Sequence, residues 1–187
     1  WVLITLIIFA AAAILVWWYQ SLPEEVDNWK THRSEDFGYE IKYPEDWELR
    51  ISDPGFGWKV VPDEELEKTD LMSIMLTKKI DAFHYAEIII SALNLGGKTI
   101  PEIEETLEDV VKTEISQMGG LEVLKSTLEE ETSERAGVTI YKKNDVWFLP
   151  TDKLLYTFDC DVEEEKDEFD NNLSVINQIL STFRFLE

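Results

Sequence analysis

The segment Trp1–Tyr19, WVLITLIIFAAAAILVWWY, carries no charged side chain and is almost wholly apolar. About 20 such residues in a helix span the ~30 Å hydrocarbon layer of a bilayer. Its small residues, Ala10 to Ala13, sit in the middle of the run, not ahead of a cleavage point. A cleaved signal peptide has the opposite arrangement. The sole cysteine, Cys160, lies far downstream, which excludes a lipid-modified cysteine just after the run. Trp17, Trp18 and Tyr19 suit the headgroup level, where amphipathic rings collect. Residues 1–20 therefore read as one uncleaved transmembrane helix that binds the lipid bilayer through residues 1–19.

The flank after this segment is Pro23, Glu24, Glu25 and Asp27, with no basic residue before Lys30. Cytoplasmic flanks usually carry an excess of Lys and Arg, so the body is expected on the extracytoplasmic side of the cell membrane. The chain of 187 residues has a formal net charge of −22. That sign excludes nucleic acid as a partner and favours basic partners or cations. One cysteine excludes an intrachain disulfide, and two histidines far apart cannot form a multi-histidine metal centre.

Residues 21–36 are polar and aperiodic and read as a juxtamembrane linker. From Phe37, Tyr39, Ile41 and Tyr43 alternate with Glu40 and Lys42; Trp47, Leu49 and Ile51 then alternate with Glu48 and Arg50. Period-two alternation on both sides of Pro44-Glu45-Asp46 predicts a hairpin over Phe37–Ser52. Further strands are expected at Trp58–Val61, Leu71–Lys78 and Ala86–Leu95. The run Ile88, Ile89, Ile90 suits a central strand covered on both faces.

Thr99 and Glu102 have capping-box spacing around Pro101. Ile103, Leu107, Val110, Val111, Ile115 and Met118 follow at helical intervals, and Gly119-Gly120 would end that helix. Strands are expected at Leu121–Leu128, Val138–Lys143, Val146–Leu149 and Leu154–Val162, with Glu129–Gly137 a polar turn. A closing helix over Glu163–Phe183 carries Phe169, Leu173, Ile176, Leu180 and Phe183 on one stripe. Two helices burying apolar stripes on a mainly antiparallel sheet predict an α+β fold, an α/β/α sandwich over residues 37–187 preceded by one transmembrane helix.

Three phrases carry a family resemblance: FGYEIKYPEDWEL at Phe37–Leu49, LNLGGKTIPEIEETLEDVVKTEI at Leu93–Ile115, and INQILSTFRFLE at Ile176–Glu187. In this order they resemble the PsbP-like domain family. The resemblance implies an α/β/α sandwich around an antiparallel sheet. It also implies a mostly non-enzymatic accessory role, and it transfers no catalytic or ligand residue. The family's pattern before its late strands appears here only as Ala136-Gly137-Val138-Thr139-Ile140-Tyr141.

No phosphate loop, nucleophile elbow or zinc-protease helix occurs. His84 has no nucleophile beside it in sequence, His32 sits in the linker and reads as solvated, and Cys160 reads as a small buried hydrophobe. The densest carboxylates, Asp159, Asp161, Glu163, Asp167 and Asp170, echo the spacing of a calcium loop. Glu164 stands where such a loop needs glycine, so the sequence favours a charged helix start over a Ca2+ or Mn2+ site. Trp47, Trp58 and Trp147 are the candidate aromatic contacts for a partner, though strand spacing favours core positions. The expectation is a non-catalytic, membrane-anchored accessory domain that contacts another membrane or envelope protein and uses no cofactor. The alternative is a divalent-cation-binding domain or hydrolase built on residues 159–170.

Overall fold

A computed structural model describes residues 26–53, 57–60, 73–79, 84–93, 97–108, 110–135 and 137–186. After a 3-10 turn at Val26–Asn28 the chain forms β1 (Lys30–Ser34), β2 (Tyr39–Tyr43), β3 (Glu48–Asp53), β4 (Gly57–Val60), β5 (Ser73–Lys79) and β6 (Tyr85–Leu93). Helix α1 (Ile100–Glu104) separates these from β7 (Lys112–Met118), β8 (Leu121–Arg135), β9 (Val138–Pro150) and β10 (Leu155–Glu165). Helix α2 (Lys166–Ser181) and the short β11 (Arg184–Phe185) close the fold. An eight-stranded sheet has the order β4-β3-β5-β6-β10-β9-β8-β7, and a three-stranded sheet has the order β1-β2-β11. All the strand pairings described are antiparallel.

The expected α/β/α sandwich behind a transmembrane helix is corrected by this architecture, which is mostly β. Among the described residues, α-helix is confined to the 5 residues of α1 and the 16 of α2. No helix there is long and apolar enough to cross a membrane. The transmembrane reading of residues 1–20 lies outside the described residues.

The largest departure is at 100–118. The capping pair forms as read: the Thr99 amide donates to Glu102 Oε2 at 2.8 Å, and the Thr99 hydroxyl donates to the same oxygen at 2.7 Å. The helix then ends after Glu104 with two tight bonds, Thr106 N to Ile103 O and Leu107 N to Glu104 O. Val110, Val111, Thr113 and Ile115 are β-branched, stiff at χ1, and suited to a pleated surface. From Lys112 the chain is a strand paired with β8. Gly119-Gly120 is therefore a two-residue hairpin turn between Met118 and Leu121, with φ of 55° and 81°.

Phe37–Ser52 also differs from a hairpin. β2 pairs with β1 and β11, whereas β3 pairs with β4 and β5. Pro44–Asp46 thus passes the chain from one sheet to the other. β1 begins inside the segment that reads as a linker, and residues 129–135 continue β8 in place of the expected turn.

Burial on β6 alternates strictly: Ala86, Ile88, Ile90 and Ala92 are inside, while Glu87, Ile89 and Ser91 are half-buried. The strand is thus covered fully on one face only. On that face α2 packs Phe169, Ile176, Ile179 and Leu180 against Leu76, Ile88, Phe158, Cys160 and Val162. A second small core of Ile103, Leu124 and Leu155, with Leu107 and Phe148 against it, sits under α1 at one end of the opposite face.

The β7–β8 turn meets the end of α2. A Cβ added at Gly119 would overlap the carbonyl oxygen of Phe183. Gly119→Ala is expected to destabilise the fold by about 1–2 kcal/mol from its left-handed φ, plus the cost of moving that backbone. Gly120→Ala meets open space and carries only the conformational cost. Equal urea midpoints for the two variants would remove the contact with Phe183 from this account.

Candidate functional site

In β10 the even-numbered residues Phe158, Cys160 and Val162 face α2, so Asp159, Asp161 and Glu163 project from the opposite face. Register does the rest. Glu87 on β6 lies directly opposite Asp161, and Asn144 on β9 lies opposite it on the other side. Residues paired across antiparallel strands have Cβ atoms about 5 Å apart, and like charges so placed repel. The sheet thereby gathers Glu87, Asp159 and Asp161 on one half-buried surface.

Partners on this surface are polar. The Tyr85 hydroxyl donates to Asp161 Oδ2 at 3.0 Å, and Asn144 Nδ2 donates to Asp159 Oδ1 at 2.7 Å. Asp161 Oδ1 is buried and takes no hydrogen bond among the described residues. Nearby cations are already engaged: Lys142 with Glu129 at 2.6 Å, Arg50 with Glu48 at 2.9 Å, and Arg135 with Glu163. Burial, then the charges of Asp161 and Asp159, pushes the Glu87 carboxyl above its usual range, against a smaller pull from Arg50. Burial also raises Asp161, against the Tyr85 hydrogen bond and the charge of Lys142. Such a surface holds negative charge at a cost and gains by accepting a cationic group or further hydrogen-bond donors.

A raised carboxyl binds its proton more tightly in the folded state. Its contribution is complete below the unfolded pKa and is lost as pH rises through the folded value. Glu87→Gln is therefore expected to raise stability at pH 7 by about 0.2–1 kcal/mol, discounted for solvent screening. The gain should vanish near pH 3, where the carboxyl is protonated in both states. Paired thermal melts at the two pH values check this; an equal gain at both would point to packing, not charge.

The acidic run is divided by the fold. Asp159, Asp161 and Glu163 lie on one face of β10, whereas Asp167 and Asp170 are exposed on α2, across the sheet. Asp170 is bound to Lys166 at 2.9 Å. Among the described residues, no group of three or more His, Cys, Asp or Glu stands where it could hold a metal ion.

Trp47 is 1% exposed and Trp147 is 7% exposed, both in the main core, with Lys125 Nζ 5.0 Å above the Trp147 ring. Trp58 falls on β4, and its side chain lies outside the described residues. A cavity of about 690 Å3 opens beside Trp47, walled by Trp29, Glu45, Asp46, Lys78 and Asn171. Its lysine is already paired, with Asp46 at 3.4 Å. Cys160 is buried on the α2 side, where burial holds its thiol protonated. His84 precedes β6, and His32 is buried in β1 against Tyr39.

Sequence reasoning passes over Glu87, Asn144 and Tyr85. The alternation of Glu87, Ile89 and Ser91 with buried neighbours is a signal for a half-open face, hidden by the run of isoleucines. Asn144 reads as a turn residue because Asn144-Asp145 interrupts two apolar stretches; it lies mid-strand in β9.

No family model matches the chain, and no curated protein matches it significantly. Solved structures similar to it include a protein of Bacteroides thetaiotaomicron, 13% identical, TM-score 0.49, covering 84% of this chain and 48% of that one. The chain thus spans about half the length of that relative. Also similar are the cyanobacterial PsbP of Synechocystis, 14% identical, TM-score 0.42, covering 84% of this chain and 92% of that one, and LpqN of Mycobacterium tuberculosis, a protein involved in cell envelope biogenesis, 11% identical, TM-score 0.43, covering 87% of this chain and 88% of that one.

Proposed function

We propose that this chain is a non-catalytic accessory domain, attached to the cell membrane by residues 1–19 on its extracytoplasmic side, that binds a basic segment of another envelope protein. The carrying observation is the Glu87–Asp161 pair, opposed across neighbouring strands with Asp159 beside it and with Asp161 Oδ1 unsatisfied. A lysine or arginine from a partner, docked against the half-buried carboxylates Glu87 and Asp159, would relieve that repulsion. The net charge of −22 supports a basic partner by steering it to this surface. The apolar run, its acidic flank and the PsbP-like phrases support attachment and an accessory role. The buried positions of Trp47 and Trp147 turn the reading from an aromatic patch to the carboxylate face.

Cross-linking in native membranes tests it. The wild-type chain should recover a reproducible partner whose yield falls with added salt. The Glu87→Gln/Asp161→Asn chain, equally folded, should lose it. Unchanged recovery by that variant refutes the carboxylate surface. Calorimetric heat with millimolar calcium or manganese would instead favour the cation-binding alternative. Protease shaving of intact cells should remove the body; protection of the body would reverse the orientation.

A further inference from the structure

The strand β7 ends the eight-stranded sheet, and among the described residues only β8 pairs with it. Large apolar side chains collect there. Val111, just before β7, is 65% exposed and Ile115 is 55% exposed, and Leu128 on β8 is 39% exposed. Natural edges are usually blunted by proline, by charged side chains of one sign, by bulges or by a very short strand. β7 is 7 residues long and has no proline. In a chain of net charge −22, its charged residues are one lysine and one glutamate, which cancel.

We propose that two copies of this chain pair edge to edge through β7, antiparallel about a two-fold axis at Thr113, making their large sheets continuous. The register follows from the sequence of the edge. A two-fold axis normal to the sheet sets one residue opposite itself and its neighbours opposite each other. Centred on Lys112 or on Glu114, it opposes like charges. Centred on Val111 or Ile115, it leaves Lys112 and Glu114 without an opposite charge. Centred on Thr113, it places Lys112 opposite Glu114 of the second copy and Val111 opposite Ile115. Cross-strand pairs of these kinds are the stabilising unit of a sheet.

Side-chain placement agrees with this register. Lys112 already pairs with Glu114 within one copy, and Lys125 Nζ stands 3.9 Å from Glu114 on the same face. Pairing would turn each Lys112–Glu114 couple into an alternating quartet. On the other face, Val111 and Ile115 flank Thr113, and each would stand beside its apolar counterpart on the second copy. Glu104 accepts from the Thr113 hydroxyl at 2.9 Å, so the axis brings it toward its own image. Glu104→Gln should therefore strengthen pairing, and a weakening would count against the axis position.

Cysteine cross-linking of the full chain in detergent micelles tests the pairing. Cys160 is buried and does not compete. Residues opposed across antiparallel strands have Cα atoms about 4.5–5.5 Å apart, within disulfide reach. Under mild oxidant, Thr113→Cys should give a linked dimer in most molecules, and Ile115→Cys several-fold less. Adding Lys112→Glu to Thr113→Cys should lower the linked fraction about tenfold, and adding Glu114→Lys as well should restore it. The dimer is overturned if Thr113→Cys stays monomeric while its thiol remains reactive. It is equally overturned if Ile115→Cys links as well, or if Lys112→Glu, with an unchanged melting profile, leaves linking unaltered.

Discussion

Replacing Phe183 by alanine is expected to destabilise the fold by about 3–5 kcal/mol. The residue follows α2 directly and is 1% exposed. Its ring stacks on Tyr39 at 5.4 Å and meets Phe158 edge-on at 5.0 Å. Tyr156 and Phe185 stand at 6.0 and 5.4 Å. Tyr39 and Phe185 belong to the three-stranded sheet, and Tyr156 and Phe158 belong to the eight-stranded one. One side chain therefore joins both sheets to the end of the helix. Alanine would remove the buried ring and leave a void whose walls are anchored in three separate elements, which limits their collapse. The melting temperature should fall by roughly 10 °C. Phe183→Leu, which keeps most of the volume, should cost under about 2 kcal/mol. A loss below about 1 kcal/mol for Phe183→Ala in urea titration would show that the two sheets do not share this core.

Acidification is expected to weaken the fold through His32, and His32→Leu should remove that sensitivity. His32 is 1% exposed in β1, with its ring 5.9 Å from Tyr39 and its Nδ1 without a hydrogen-bond partner among the described residues. Burial lowers its pKa from 6.5 to about 4. Between these values the unfolded chain binds a proton that the folded chain refuses. Stability is therefore complete above about pH 6.5 and falls as pH drops toward 4, by up to about 3 kcal/mol. Glu87 and Asp161 act in the opposite direction, since their raised carboxyls gain stability on protonation. The difference between wild type and His32→Leu isolates the histidine. Melting curves at pH 7 and pH 4.5 should diverge for the wild type more than for the variant. Parallel shifts would mean that His32 is protonated in the folded state.

The hairpin turn at Gly119-Gly120 shows where local reading goes astray. Two glycines between apolar stretches fit a helix cap and a two-residue hairpin equally well. The preceding apolar residues fit helical spacing, yet Val111 and Ile115 end on an exposed strand edge. The competing signal is their β-branching, which the periodicity masks. The turn at Pro44–Asp46 misleads in another way. Strands on both sides of it are legible, but strands adjacent in sequence join different sheets.

Local chemistry was enough to mark the alternation of β2, β5 and β10, the Thr99–Glu102 cap and the apolar stripe of α2. Each of these depends on residues close together in the chain, whereas the net charge of −22 follows from composition alone. Which strand lies beside which was decided only by the tertiary structure. Register is a property of two segments at once, and burial of all the apolar faces together selects it. That selection brought Glu87 opposite Asp161, left β7 last in the order of the large sheet, and moved Asp167 and Asp170 to the other side of the sheet from Asp159.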